Sequence, residues 1–224
     1  MENGMRHELK YLISASAAEL LRRRLPCIMQ RDPHAGPAGQ YTIRSLYFDD
    51  PFGGAYYEKI DGVCDRLKYR IRCYNYDTSY VKLECKEKHG SLTRKRAKTV
   101  TAEQAAALQA NTPIEGAEGL VLELQQKLRW EALRPKVLVD YDRTPFVCAD
   151  GNTRITLDEN LRTRPFCTDL NAPWGAMIPV LEPDQVILEV KFDDFLPGQL
   201  ADALKDIPKT PLAISKFALC MQYY

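Results

Sequence analysis

A chain of 224 residues is long enough for one β-rich domain with its own core, and its 45% hydrophobic and 27% charged residues are typical of a globular protein. Thirty-one basic residues against thirty acidic ones give a net charge of +1, which argues against a uniformly basic surface that binds duplex DNA. No apolar run follows Met1, so neither a signal peptide nor a membrane span is predicted. The seven scattered cysteines indicate free thiols in the reducing cytoplasm.

Strands are predicted where polar and apolar residues alternate, and helices where a capping signal precedes an apolar periodicity. The predicted strands comprise residues 6–12, 40–48, 66–76, 80–88, 92–100, 136–147, 153–159 and 185–193. Helices are predicted from a capping box at Ser16 and Glu19 to Leu25, from Thr101 onwards, over residues 120–133 and over residues 215–222. No internal repeat or linker interrupts this order, so residues 1–224 are predicted to form a single domain.

The predicted strand that begins at Arg66 has two faces of opposite character. Because side chains alternate across a strand, four basic residues share one face: Arg66, Lys68, Arg70 and Arg72. The residues between them are mostly apolar. Other predicted strands place charged residues on one face in the same way: Glu8 and Lys10; Lys82, Glu84, Lys86 and Lys88; Arg154; and Glu189 and Lys191.

Two interpretations of these faces are open. Antiparallel sheets often have one solvated polar face, which would explain any single strand. However, like charges on neighbouring strands destabilise a sheet, and a bound polyanion would relieve that repulsion. Arg and Lys side chains suit phosphate oxygens. The interleaved carboxylates Glu8, Glu84 and Glu189 are suitable ligands for a hard divalent cation, or salt-bridge partners of the basic residues, the interpretation that we favour for Glu84.

Several short motifs run through the whole chain. In order they are Arg6-x-Glu-x-Lys-Tyr11, Ser45-Leu-Tyr-Phe-Asp49, Lys68-x-Arg-x-Arg72, Leu83-Glu-x-Lys86, Asp140-Tyr-x-Arg143, Arg154-Ile-Thr-x-Asp158, Leu188-Glu-x-Lys191 and Ser215-Lys216. Together they resemble the catalytic domain of the vacuolar transporter chaperone (VTC) polyphosphate polymerases, within the CYTH-like triphosphate tunnel metalloenzymes.

The resemblance implies an α+β fold that is mainly antiparallel β, an eight-stranded tunnel-type β-barrel with peripheral helices. It also implies transfer of the terminal phosphate of ATP to a polyphosphate chain, with Mn²⁺ or Mg²⁺ as cofactor. The expected ligands are ATP, a triphosphate or polyphosphate, and not duplex nucleic acid. The oligomeric state and a separate membrane partner protein are left open.

Site residues carried over from the resemblance fall into three groups. The expected catalytic residues are Lys10, Arg70, Arg72, Lys86, Arg143, Arg154 and Lys216. The expected substrate-binding residues are Lys68, Lys95, Lys191 and Ser215, although Arg94 and Arg96 leave the register at Lys95 ambiguous. The expected metal ligands are Glu189 and Glu8.

One residue departs from the wider superfamily. Arg6 stands where hydrolytic members have the first Glu of a Glu-x-Glu-x-Lys motif, which favours the polymerase branch. Two alternatives stay open: a hydrolase of tripolyphosphate or nucleoside triphosphates with the same fold, and a non-catalytic module that binds polyphosphate or single-stranded RNA. Tyr69 and the other aromatic residues near the basic runs are predicted on the apolar side, which counts against base stacking and so against RNA.

Overall fold

The computed structural model describes residues 6–90, 92–211 and 215–224. The strands are β1 (His7–Ser14), β2 (Gln30–Arg31), β3 (Tyr41–Asp49), β4 (Asp65–Tyr74), β5 (Asp77–His89), β6 (Leu92–Val100), β7 (Arg134–Cys148), β8 (Thr153–Thr163), β9 (Ile178–Pro179), β10 (Gln185–Phe192) and β11 (Thr210–Pro211). The helices are α1 (Ala15–Arg24), α2 (Gly54–Ile60), α3 (Ala102–Ala110), α4 (Gly119–Trp130), α5 (Gly198–Lys205) and α6 (Lys216–Met221).

The strands form one antiparallel sheet in the order β11-β1-β10-β8-β7-β3-β4-β5-β6, with β2 pairing β7 and β9 pairing β8. Eight of them have eight or more residues, and these carry the sheet. The prediction of an α+β fold with a mainly antiparallel sheet and peripheral helices is confirmed. No helix in the described ranges is long and apolar enough to cross a bilayer.

The sheet is strongly curved. Lys86 on β5 lies 2.7 Å from the Glu8 carboxylate on β1. These strands are six positions apart in the sheet, and a flat sheet would separate them by about 29 Å at ~4.8 Å per strand. The two ends of the sheet therefore curl towards each other. Closure into the expected barrel is not confirmed, because no ladder in the described residues joins β6 to β1.

The outer, convex face is covered by helices over two apolar clusters. One cluster packs α3 and α4 against β3, β4 and β5, with Ile71 and Leu83 fully buried. The other packs α1 and α5 against β1, β8 and β10, with Leu157 and Leu188 fully buried. These residues alternate with the charged ones, so apolar burial on the outside turns the charged side chains inward.

Helix α6 lies on the concave side of the sheet. Its residues Phe217 and Ala218 pack against Ile43 on β3 and against Val139 and Tyr141 on β7. Ser215 caps the helix by accepting a hydrogen bond from the backbone N–H of Ala218. The predicted C-terminal helix is confirmed, but its position in the interior was not predicted.

The helices differ from the predicted ones at several places, and both α2 and α5 are absent from the prediction. The N-cap of α1 is Ser14 rather than Ser16, because the Ser14 hydroxyl accepts from the backbone of Ala17. Helix α2 begins five residues after the end of β3. Its first turn is held by the Asp49 carboxylate, which accepts from the backbone of Ala55 and Tyr56. The helix predicted to begin at Thr101 is confirmed, and Thr101 forms a capping box with Gln104.

A buried ion pair joins the centre of the sheet to the loop after β8. Arg44 is 1% exposed, and its guanidinium donates to the Asp140 carboxylate at 2.8 and 2.9 Å. The same group donates to the carbonyl oxygens of Leu170 and Ala172. Charged groups at such depth are tolerated only when they are paired and hydrogen-bonded.

Replacing Arg44 tests this connection. Arg44→Met leaves Asp140 buried without its counter-charge, and we expect a loss of about 3–5 kcal/mol in the free energy of unfolding measured with urea. Arg23→Met is the control, because Arg23 forms only an exposed pair with Glu19 and should have little effect. Equal midpoints for the two variants would contradict the prediction.

Candidate functional site

The register of the sheet places charged side chains from seven strands (β1, β4, β5, β6, β7, β8 and β10) on its concave face. In the antiparallel ladders Lys10 lies opposite Glu189, Glu189 lies opposite Thr156, and Arg143 lies opposite Asp158. On the opposite wall Arg70 of β4 lies opposite Glu84 of β5, and Lys68 lies opposite Lys86. We call this concave surface the basic face. It is defined by Lys10, Arg70, Arg72, Lys86, Arg143 and Lys191.

Four carboxylates on the basic face are each surrounded by basic side chains. The carboxylates are Glu8, Glu84, Asp158 and Glu189. Eight basic side chains lie within 4.0 Å of them: Lys10, Arg70, Arg72, Lys86, Lys95, Arg143, Lys191 and Lys216. We call these twelve residues the charge network. The formal charge of the network is +4. Most of its side chains are shielded from solvent by the curvature of the sheet.

The two ends of this network have similar geometry. On β5, Glu84 is 2.6 Å from Arg70, 2.7 Å from Lys95 and 3.9 Å from Arg72. Glu84 therefore acts as an ion-pair partner in this structure, the interpretation favoured for it from the sequence. The side chain of Glu84 is almost fully buried, so these three cations replace its hydration.

At the other end, Asp158 and Glu189 share two cations. Arg143 donates to Asp158 at 2.6 and 2.7 Å and to Glu189 at 3.3 Å. Lys216, the first residue of α6, lies 2.6 Å from Asp158 and 2.8 Å from Glu189. Helix α6 is thereby fixed to β8 and β10 by charge as well as by apolar packing.

The network shifts the acidity of its members. Burial alone would raise the pKa of the Glu84 carboxyl, but Arg70 and Arg72 hold that pKa well below its usual value of 4.5. The pKa of Glu189 is depressed in the same way by Lys191 and Lys216. Because both pKa values are lower in the folded state, the stabilisation is complete above pH 4.5 and is lost as the pH falls below it.

Three of the expected site residues lie outside the network. Arg154 donates to Asp32 at 2.7 Å and to the Tyr41 hydroxyl at 2.9 Å. Ser215 serves as the cap of α6. Lys68 has a buried ammonium group with no hydrogen-bond partner in the described part of the chain, and it lies 4.4 Å from the centre of the Phe217 ring.

The register at β6 resolves the position of Lys95. Lys95 pairs with Lys86, so its side chain lies on the basic face. Arg96 pairs with Cys85 and faces outward, where it donates to Glu123 on α4 at 2.6 Å.

Two tyrosine hydroxyls on the basic face were missed. The Tyr47 hydroxyl accepts from Arg70 at 2.6 Å, and the Tyr141 hydroxyl accepts from Arg72 at 3.2 Å. The expectation that aromatic residues near the basic runs lie on the apolar side holds for Tyr69. Tyr47 on β3 and Tyr141 on β7 reach the basic face from other strands, which the pattern of those runs does not reveal. Both rings are buried, so they offer no open surface for base stacking.

The donor set for a metal is limited. Within the described residues no group of three or more His, Cys, Asp or Glu side chains is arranged to hold an ion. Glu8 and Glu189 do approach a common point, since both contact the Lys191 ammonium at 3.2 and 3.1 Å. Magnesium-type sites often use one or two carboxylates together with substrate phosphates and water. The two glutamates fit such a site when phosphate oxygens complete it.

The model of the VTC domain family matches residues 5–224, nearly the whole chain. The chain belongs to the VTC domain family. This confirms the resemblance drawn from the motifs. None of the curated proteins matches the chain.

Solved structures resemble this VTC domain in fold. A Bacillus halodurans protein that carries the provisional name adenylate cyclase is 16% identical with a TM-score of 0.59, over 95% of each chain. The PH1819 protein of Pyrococcus horikoshii is 15% identical with a TM-score of 0.48, over 96% of this chain and 95% of that one. At these identities only the fold is comparable, and the first structure carries that comparison.

The environment of Lys68 predicts that ligand binding is linked to proton uptake. Burial, together with the positive charge of nearby Arg66, lowers the pKa of Lys68 to about 7. A phosphate chain on the basic face would favour the ammonium form. Binding of tripolyphosphate at pH 8 should therefore take up protons, up to about one of them at Lys68.

Calorimetry in buffers of different ionisation enthalpy measures this uptake. We expect Lys68→Met to take up fewer protons than the wild type. Some proton uptake should remain, because Lys86 and Lys95 have pKa values of about 8 and can also be protonated on binding. Lys98→Met, on the exposed outer side of β6, should leave it unchanged. Equal uptake in the Lys68→Met variant and the wild-type protein would exclude this role for Lys68.

Proposed function

We propose that the basic face binds a chain of phosphates and that this VTC domain transfers the terminal phosphate of ATP to polyphosphate, with Mn²⁺ or Mg²⁺ as cofactor. Residues 1–224 would act as one tunnel domain in the cytoplasm. The observation that carries the proposal is the charge network, in which eight basic side chains face four carboxylates.

An excess of buried positive charge calls for an anionic ligand. Each unpaired cation in a poorly solvated cavity repels its neighbours more strongly than it would in water. Phosphate oxygens would accept hydrogen bonds from Arg and Lys and neutralise the excess. A chain of phosphates fits better than a single anion, because the cations line both walls of a curved sheet.

The proposed roles of the residues are those implied by the family resemblance, and the charge network supports them for most of these residues. We propose that the reacting phosphates are bound by Lys10, Arg70, Arg72, Lys86, Arg143, Arg154 and Lys216. The rest of the phosphate chain would be bound by Lys68, Lys95, Lys191 and Ser215. Arg70 and Arg72 would approach the phosphates from β4 and Lys10 from β1, so that the chain lies between the walls. Phosphoryl transfer depends mainly on such positioning and on charge neutralisation.

Glu189 and Glu8 would hold the divalent ion against the phosphates. When bound, Mn²⁺ or Mg²⁺ would supply charge neutralisation between the reacting phosphates and polarise the transferred group. For this the two carboxylates must exchange part of their lysine contacts for the ion, while Arg143 and Lys216 keep Glu189 oriented.

Hydrolysis of tripolyphosphate or a nucleoside triphosphate is the second candidate. Helix α6 favours it, because Phe217 and Ala218 occupy part of the interior that a long product would need. A short triphosphate needs less of this space, and water would then be the acceptor.

One experiment separates the candidates. The pure protein is incubated with ATP and Mn²⁺, and polyphosphate and free phosphate are assayed separately. Polyphosphate formation supports the polymerase, and free phosphate alone supports the hydrolase. Binding of tripolyphosphate without either product would leave a non-catalytic binding module.

Arg72→Ala tests the phosphate site. Arg72 is buried on the basic face, where its guanidinium contacts Ser45 and the Tyr141 hydroxyl. Loss of its charged hydrogen bonds to phosphate should weaken tripolyphosphate binding by about ten- to a hundredfold in calorimetry. Arg96→Ala is the matched control, since Arg96 faces the outer helix α4, and it should bind as the wild type does. Unchanged affinity in Arg72→Ala would remove Arg72 from the site.

Glu189→Gln tests the metal assignment. The amide keeps the shape of the side chain but is a poor metal ligand, so turnover of ATP should fall at least about a hundredfold while tripolyphosphate binding persists. If Glu189 is only an ion-pair partner of Lys216 and Lys191, the change should chiefly lower the melting temperature. A near wild-type rate with the same manganese requirement would show that the assignment is wrong.

A further inference from the structure

Lys191 has a position that no other residue of the charge network shares. Its ammonium group lies 3.2 Å from Glu8 and 3.1 Å from Glu189. Lys10 and Lys86 contact only Glu8 of these two, and Lys216 contacts Glu189 but not Glu8 among the described pairs. A single positive charge therefore already bridges the two carboxylates that would hold a divalent ion.

The surroundings of this bridge are electropositive. Three carboxylates, Glu8, Asp158 and Glu189, lie among five basic side chains. These are Lys10, Lys86, Arg143, Lys191 and Lys216. The formal charge of this part of the network is +2, so a divalent ion that enters alone meets net repulsion in a poorly solvated site.

We propose that Lys191 is an internal counter-cation, which occupies the place of the divalent ion until a phosphate chain draws its ammonium group away. The inference rests on the proposed function and concerns the order of binding. Phosphate oxygens bind the Lys191 ammonium group, the glutamates lose their bridging charge, and the ion then binds between carboxylates and phosphates. Without phosphate, Lys191 keeps the site closed to metal.

The burial of the two glutamates supports this competition. Glu189 is 6% exposed and the Glu8 side chain 17% exposed, so water cannot easily replace a departing cation. Either a lysine or a metal has to neutralise them. The exchange is feasible for Lys191 because its side chain is 29% exposed and can swing towards a ligand on the basic face, whereas the Lys216 side chain is 9% exposed.

Manganese binding in the absence of any phosphate tests the inference. The free Mn²⁺ signal in electron paramagnetic resonance gives the dissociation constant for wild type and Lys191→Met. We expect weak binding by the wild type and binding at least about tenfold tighter in Lys191→Met, because one repulsive charge has been removed from between the ligands. Adding Glu189→Gln to Lys191→Met should abolish the gain.

Two further single-lysine variants test whether the gain in manganese affinity is specific to Lys191 or follows from the loss of any positive charge. Lys86→Met removes one charge from the same network but contacts only Glu8, so its gain should be clearly smaller. Lys98→Met, on the outer side of the sheet, should bind manganese as the wild type does. Circular dichroism establishes that each variant is folded, and Lys191→Gln replaces Lys191→Met if the latter is not.

Metal-free calorimetry with tripolyphosphate keeps the two proposals apart. If the wild type binds tripolyphosphate but neither Lys191 variant binds manganese more tightly, the inference is overturned and the proposed function stands. An equal gain in Lys86→Met and Lys191→Met would also overturn it. If the wild type binds no tripolyphosphate, the proposed function itself fails, whatever the manganese result.

Discussion

The burial of excess positive charge on the concave face is the constraint on which the rest of this structure depends. Eight basic side chains are held near one another only because four carboxylates lie between them and because the outer face of the same strands is strongly apolar. Apolar burial on the convex side supplies the free energy that offsets the repulsion. The site is therefore destabilising by itself, and the helices that cover the outside maintain it, an arrangement common where binding function competes with stability.

Helix α6 links this electrostatic site to the fold of the chain. Its first residue, Lys216, neutralises Asp158 and Glu189, and its second, Phe217, lies in the apolar part of the interior and beneath Lys68. A ligand that competes for these two lysines would act directly on the contacts that hold the helix. Binding of a phosphate chain and the position of α6 are thus expected to be coupled through shared groups rather than through distant motions.

The charged contacts also distinguish ion pairs that stabilise the fold from charged groups that could bind a ligand. Arg44 and Asp140 on the outer side form a closed pair, and Arg44 also donates to the backbone carbonyl oxygens of Leu170 and Ala172, so the pair is fully engaged within the protein. Arg96 is likewise committed to Glu123. On the basic face the balance is reversed, because the basic side chains outnumber the carboxylates and the Lys68 ammonium has no hydrogen-bond partner among the described residues. The candidate site is identified by its shortage of carboxylates to neutralise the basic residues, more than by the number of basic residues.

The sequence by itself determined which side chains share a face, because successive residues of a strand point to opposite sides of the sheet. It thereby placed Lys68, Arg70 and Arg72 together, and its motifs identified the family. It could not specify that Glu8 on the first strand would meet Lys86 on the fifth, since that contact depends on the curvature of the whole sheet. Nor could it place α6 inside the curve, or set Lys191 between two glutamates. These are long-range contacts, and only the tertiary structure decided them, because strand order and curvature result from the packing of all the elements together.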